Sequence, residues 1–189
     1  MNPGGISRHP QSTLMAQSHG EQFERLVLPH LNDAYSLACY LLRDEHDAQD
    51  VVQDAILRAL RYFDGFRDGD TRAWLLAIVR NCCYTWHRRH RADRSMVSYA
   101  DAESSPHLHS STNADVRAIR SSERIAINRA MAALSTEFRE VIVLRELQDL
   151  SYKEMSTVIG VPIGTIMSRL ARARKRLASE LERHIQEAS

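Results

Sequence analysis

Long apolar runs are missing from this chain. The longest, Trp74 to Val79, falls far short of the ~20 residues a membrane-crossing helix needs, so no membrane insertion of its own is expected. The first stretch, MNPGGISRHPQSTLMAQSHG, has no apolar core and does not read as a signal peptide. Cysteine is scarce: Cys39, Cys82 and Cys83 are odd in number and poorly spaced for a disulfide framework, which excludes a stapled secreted fold and favours a reducing cytoplasm. No Gly-rich phosphate loop, paired-carboxylate cleft or nucleophile triad stands out, so catalysis by this chain is not expected and no cofactor is implied. Strand-like alternation and internal repeats are absent too, which leaves an all-α chain. Net charge is nearly absent, +1 over 189 residues, although charged residues make up 26% of the chain.

That near-neutrality hides segregation. Acids gather at Asp44, Glu45, Asp47, Asp50 and Asp54, bases at Arg80 to Arg94 and Arg169 to Arg176. Such asymmetry suits one surface for nucleic acid and another for a basic protein partner.

The densest signal is LSYKEMSTVIGVPIGTIMSRLARARKRL, Leu150 to Leu177. Ser151 and Glu154 have capping-box spacing, which starts a helix. Gly160 can take the left-handed conformation that ends it, and Pro162 prevents its continuation. A second helix then runs from Ile163 into the early 180s. At a period of 3.6 residues per turn its packing face is Ile166, Leu170, Ala173 and Leu177. Gly164, Ser168, Ala171, Arg172 and Lys175 fall roughly opposite. Small residues there let the backbone approach a groove, Ser168 and Arg172 can reach base edges, and Lys175 and Arg176 can pair with phosphates. A lone basic helix reads as a solvated end of a bundle; capped helix, Gly-Val-Pro turn and basic helix in succession read as DNA binding.

Four stretches organise the chain. Residues 1–19 read as a disordered tail and 20–92 as a helical region, with helices over Glu21–Arg43 (irregular near Pro29), Glu45–Phe63 and Thr71–Arg91 around a loop, Asp64 to Asp70. Residues 93–120 read as a Ser-, His- and Asp-rich linker. Residues 121–189 form a second helical region, with helices near 122–134, 137–147, 151–158 and 163–183. Two small helical domains joined by a flexible linker are expected.

In the first region, Ala48, Val52, Ala55, Ile56, Ala59 and Phe63 share one arc of their helix and should be core. Asp47, Asp50 and Asp54 line another face. A solvated acidic stripe near a helix N-terminus is the bland reading, which the helix dipole already favours; a docking face for a basic partner helix is the functional one. On the third helix Trp74, Ile78 and Cys82 face inward with Leu75 and Val79. Arg80, Tyr84, His87 and Arg91 fall on another side, bordered by Asn81. Interleaved cations and rings suit single-stranded DNA. Cys83, His87 and His90 have spacing that could converge on a metal, but Arg88, Arg89 and Arg91 around them repel a cation, so no metal site is assigned; a thiol- or metal-responsive sensor built on Cys82, Cys83, His87 and His90 is the reading to test there.

With DAQDVVQDAILRAL (Asp47 to Leu60), TRAWLLAIVRN (Thr71 to Asn81) and LSTEFREVIVLRELQDLSYKEMSTVIGVPIGTIMSRLARARKRL (Leu134 to Leu177) in this order, the chain resembles an extracytoplasmic-function (ECF) sigma factor of bacterial RNA polymerase from Phe23 to Leu181. The resemblance implies a first domain, region 2, that docks on a coiled coil of the largest polymerase subunit through Asp47, Asp50, Gln53 and Asp54. It implies that the same domain opens the −10 element and holds unstacked bases, with Asp64, Phe66, Arg80, Asn81, Tyr84, His87, Arg88 and Arg91 on the matching segments. Region 4 is then expected to meet the polymerase flap and to read the −35 element through Thr165, Ser168, Arg169, Ala171 and Arg172, with Lys175 and Arg176 beside them. Many relatives carry Lys or Arg where Met167 stands. No appended sensory domain is seen, which the resemblance links to control by a separate anti-sigma factor, often membrane-anchored, over a cytoplasmic protein. The competing expectation is an autonomous helix-turn-helix regulator.

Overall fold

The computed structural model describes residues 20–66, 69–94 and 114–187, and every regular element among them is helical. The expected N-terminal tail and most of the expected linker lie outside the described residues. Helix α1 covers 20–27. A tight turn over Leu28–His30 separates it from α2, Leu31–Leu42; this is the irregularity expected at Pro29, whose missing N–H breaks the helical ladder. Arg43 closes α2 in the left-handed conformation, φ 65°, its N–H donating to the Cys39 carbonyl at 2.8 Å. The next residue, Asp44, caps α3 (Glu45–Tyr62) by accepting from the N–H groups of His46 and Asp47 at 2.9 and 3.0 Å. Phe63 heads a tight turn and packs edge-on against Phe23, with ring centroids 5.2 Å apart. Helix α4, Thr71–Arg94, outlasts the expected end at Arg91.

The second half begins with α5, Ala114–Ala133, which starts inside the stretch read as linker. The helix expected over 137–147 is α6, Thr136–Ile142, running into a widened π turn over Val143–Leu147. The Gln148 N–H donates to the Val143 carbonyl at 3.0 Å, five residues back rather than four. Helix α7, Tyr152–Ile159, has its capping box: Glu154 N–H donates to Ser151 Oγ at 3.3 Å and Ser151 N–H to Glu154 Oε2 at 2.6 Å. Gly160 ends α7 at φ 76°, as its position before Pro162 implied, and α8 spans Ile163–Glu187.

A single buried cluster draws on both halves. Leu37, Leu41, Leu75, Leu76 and Val79 belong to one half, Leu144, Leu150, Met155, Ile166 and Leu170 to the other. Helix α4 packs on α7, and α2 on α6. Polar groups tie the junction as well. Arg72 Nε meets Asp33 Oδ2 at 2.6 Å while its Nη2 donates to the Gln148 carbonyl at 2.7 Å, and Gln148 Nε2 donates to the Asp33 carbonyl at 2.7 Å. Gln148 Oε1 is buried with no partner. Arg139, also buried, spends its guanidinium on backbone carbonyls: it donates to those of Met131, Ala132 and Leu134, where α5 ends, and to that of Tyr40 across the junction at 2.8 Å. Those orphan carbonyls are what a cation at a helix C-terminus satisfies. Burial, with Arg43 nearby, lowers its pKa to about 10, so it stays protonated at neutral pH.

Core expectations divide by helix face. Ala48, Ala55, Ala59 and Phe63 are buried, whereas Val52 and Ile56 sit at the rim and Val51 is buried in their place. Leu75, Val79 and Cys82 face inward as expected, with Trp74 and Ile78 partly covered. On α8, Ile166, Leu170 and Ala173 are buried and Leu177 packs at the edge.

Candidate nucleic-acid interface

Helix α8 turns Gly164, Met167, Ser168, Ala171, Arg172 and Lys175 outward. Its first turn is set by Pro162, whose carbonyl accepts from the Thr165 and Ile166 N–H groups at 2.9 and 3.1 Å. The Ser168 hydroxyl donates to the Thr165 carbonyl at 3.0 Å, and Arg172 Nε to the Ser168 carbonyl at 3.3 Å. Arg172 is thereby tied to its own helix and stays exposed. The other cations on α8 differ. Arg169 lies toward Glu137, 3.6 Å away, with its side chain only 15% exposed. Arg174 holds Glu146 at 2.6 Å, and Arg176 holds Glu180 at 2.9 Å. Among the residues read as −35 contacts, the geometry therefore brings Ser168, Ala171, Arg172 and Lys175 onto one open surface, leaves Thr165 partly covered, and turns Arg169 toward the body of the protein.

Two members of the basic-aromatic face of α4, Arg80 and Tyr84, are engaged across the junction in this arrangement. Arg80 Nε meets Glu140 Oε1 of α6 at 2.6 Å, and the Tyr84 hydroxyl donates to Glu140 Oε2 at 3.3 Å. The Arg80 guanidinium also lies over the Tyr84 ring, 4.4 Å from its centroid. Asn81, exposed, accepts from Arg80 Nη1 at 3.3 Å. Burial pushes the Glu140 carboxyl up while Arg80 pulls it down. Burial first, and then Glu140, raise Tyr84 to about 12. Sequence reasoning missed Glu140. The available signal was a charged pair, Arg139 and Glu140, set within the otherwise apolar stretch around Val141 to Leu144.

The remaining residues read as −10 contacts scatter. Phe66 is committed to an aromatic cluster, 4.9 Å from Trp74 and 6.2 Å from Phe63 by ring centroids. Asp64 and Arg88 are exposed. His87 Nε2 lies 3.0 Å from the Leu41 carbonyl, and the Arg91 side chain lies outside the described residues.

The sensor reading receives no geometric support. Cys39, Cys82 and Cys83 are buried and reduced, and burial pushes each thiol up, away from the reactive thiolate. His90 stacks on Trp86 with centroids 3.9 Å apart rather than turning toward His87 and Cys83. Among the described residues no group of three His, Cys, Asp or Glu is placed to hold a metal ion.

On α3, Asp50, Gln53 and Asp54 are exposed and Asp47 is half-buried in the first turn. The sequence reading overlooked the apolar residues beside them: Leu57 is 57% and Leu60 43% exposed. Leu57 stands three and seven residues after Asp54 and Asp50, so acids and leucine share one outward stripe. Among the described residues no helix is long and apolar enough to cross a membrane.

Comparison with known proteins places two family models on the chain: "Sigma-70 region 2" over residues 26–93 and "Sigma-70, region 4" over residues 124–177. The chain is 33% identical over 178 residues to the ECF RNA polymerase sigma factor SigM of Mycobacterium tuberculosis, covering 93% of this chain and 86% of that protein. It is 31% identical over 172 residues to the RNA polymerase sigma-H factor of Pseudomonas aeruginosa, covering 88% of this chain and 89% of that protein. Among solved structures it is similar to the sigma factor RpoE of Bartonella quintana, crystallised with the anti-sigma factor NepR, with a TM-score of 0.71, 29% identity and coverage of 86% of this chain and 98% of that one.

Proposed function

The chain belongs to the ECF sigma factors, the initiation factors that direct RNA polymerase to promoters, and we propose that residues 20–92 and 121–189 divide that work as regions 2 and 4. In this reading α3 docks on a basic, apolar-faced coiled coil of the largest polymerase subunit. Asp47, Asp50, Gln53 and Asp54 supply the charge complementarity that steers and orients the encounter, and Leu57 and Leu60 supply apolar area. Helix α8 enters the major groove of the −35 element. Ser168 and Arg172 read base edges there, Ala171 allows close approach, and Lys175, with Arg176 and Arg169 at its margins, neutralises phosphates. Region 4 also meets the polymerase flap. Helix α4 and the turn before it serve the −10 element: Arg80, Arg88 and Arg91 neutralise phosphates, while Asn81, Tyr84 and His87, with Asp64 and Phe66 from the turn, receive unstacked bases. Captured bases offset unstacking, about a few kcal/mol per base, so melting needs no ATP.

Because Glu140 holds Arg80 and Tyr84 in the closed arrangement, the two halves separate before the −10 strand is held. An anti-sigma factor, membrane-anchored or free, keeps the chain from polymerase in the cell; the support is the likeness to a sigma factor crystallised with such a partner. The observation that carries the whole reading is the coexistence of an open cationic recognition helix and an open acidic-apolar face on α3. An autonomous regulator has use for the first and none for the second. The test is transcription from a promoter library by bacterial core polymerase, with and without this protein. New start sites sharing two spaced upstream elements are expected. Duplex binding by the protein alone, with no polymerase-dependent initiation, would overturn the reading.

A further inference from the structure

Three exposed positions on the groove-facing side of α8 are apolar. Ile163 is 43% and Met167 51% exposed, and Ala171 is exposed too. They stand four residues apart, so they form a strip along the first turns of the helix. A parallel strip, Gly164, Ser168 and Arg172, lies beside it. Beyond the backbone of its own helix, no described atom lies within 4 Å of the point a Cβ would occupy at Gly164, so that edge is open to an incoming surface. Arg172 and Lys175 flank the strips with positive charge, which fits a polyanion better than an apolar protein groove. On the N-terminal turns of a recognition helix, outward side chains meet base edges rather than phosphates.

Base edges in the major groove are donors and acceptors with one apolar exception, the C5-methyl of thymine. A thioether and two small aliphatic groups can neither donate to nor accept from the other positions; set against them, they would leave base atoms desolvated and unpaired. We infer that Met167, with Ala171 and Ile163 on either side, reads thymine methyl groups in the −35 element, next to base pairs contacted by Ser168 and Arg172. This deepens the proposed role of region 4 and rests on it. Neighbours in the strip are about 6 Å apart along the helix axis, against ~3.4 Å per base-pair step, so the contacted methyls fall about two steps apart. A basic residue at position 167 would seek guanine or phosphate instead; methionine exchanges that contact for a thymine.

Deoxyuridine lacks only the methyl and keeps every hydrogen-bonding atom of thymine. In a promoter selected by the holoenzyme, each −35 thymine on either strand is replaced in turn by deoxyuridine, and promoter affinity is measured with wild-type, Met167→Ala and Arg172→Ala holoenzymes. One or two replacements should weaken wild-type binding about fourfold each, and Met167→Ala should lose the sensitivity at one of them while keeping it elsewhere. Equal affinity for thymine and deoxyuridine at every position would overturn the inference, as would full sensitivity retained in Met167→Ala. If scrambling the whole −35 element or replacing Arg172 changes nothing, region 4 does not read that duplex and both readings fall. Met167 is exposed, so its replacement leaves the core intact; circular dichroism checks this.

Discussion

Arg80 on α4 and Glu140 on α6, sixty residues apart in sequence, form an ion pair of 2.6 Å in which the carboxylate is fully buried and the arginine side chain 17% exposed. The Tyr84 hydroxyl completes the arrangement on the second carboxylate oxygen. A buried pair of this kind contributes little over an apolar substitute, yet losing one partner strands the other at a cost of about 3–5 kcal/mol. Glu140→Ala should therefore loosen the junction of the two halves. Spin labels placed at exposed Asn81 and exposed Glu137 should show a short separation in the parent chain and a longer, broader one in the variant. A −10 non-template oligonucleotide should bind the free variant more tightly than the parent. Unchanged label distances would show that apolar packing and the other polar ties hold the halves together without this pair.

The same junction sets a dependence on pH. Tyr84 stands at about 12 against an ordinary 10.0, raised by burial and by Glu140 and Glu137 and lowered by Arg80. A group whose value is raised in the closed arrangement stabilises it fully below its ordinary value, and that contribution disappears as pH climbs from about 10 to about 12. Glu140 shifts in the same direction, so its protonation also favours closure. In an alkaline titration of phenolate absorbance, the parent should show a late-ionising tyrosine that Tyr84→Phe lacks, and the halves should part over that range. A Tyr84 that ionises with the exposed tyrosines would contradict the buried placement.

Local chemistry made one part of this fold legible. Ser151, Glu154, Gly160 and Pro162 act within a turn of themselves, so their spacing predicts both ends of α7 and the start of α8. The helical period likewise places Ile166, Leu170 and Ala173 on the inside. Contacts made across the chain were not legible. Nothing local marks Glu140 as a partner of Arg80, Arg139 as the group satisfying the end of α5, or Gln148 as a link to Asp33. For that reason the engagement of Arg80 and Tyr84 across the junction could not be read from the sequence. The π turn over Val143–Leu147 escaped for a related reason: an apolar run has no period that separates four-residue from five-residue hydrogen bonding. Position 169 shows the same limit on the site itself, since nothing local places Glu137 3.6 Å from Arg169.

Caps give a direct stability test. Gly160 has φ 76° and open space around its missing side chain, so Gly160→Ala suffers from backbone conformation alone, about 1–2 kcal/mol. Ser151→Ala removes the acceptor for the Glu154 N–H, at about 1 kcal/mol. Both variants should melt at lower temperature by calorimetry and keep promoter selectivity when folded. A Gly160→Ala chain as stable as the parent would mean that α7 ends differently in solution.

Buried thiols predict silence toward oxidants. Cys82 and Cys83 lie inside the first half with their pKa values raised by burial, so native alkylation should be slow and should accelerate only on unfolding. Cys83→Ser should leave any oxidant response of the transcribing holoenzyme unchanged. A response abolished by that one substitution would restore the sensor reading, with the thiol reached through a locally opened state.

Separate surfaces allow separate losses. Arg172→Ala should weaken binding at the selected promoter by about 1–3 kcal/mol, as loss of a base contact does, and much less at scrambled −35 sequences; an equal loss on all sequences would make Arg172 a phosphate contact. Asp50→Arg with Asp54→Arg acts at the other end of the molecule. Both acids are exposed on α3, so the fold should persist with an unchanged helical spectrum, whereas two repulsive charges now face the basic polymerase helix. Binding to core polymerase should weaken and its association rate fall most at low salt, where unscreened charges steer the encounter. Duplex −35 binding by the free variant should match that of the parent. Normal polymerase affinity in this variant would remove α3 as the docking face, and the exposed Leu57 and Leu60 beside it would then need another partner.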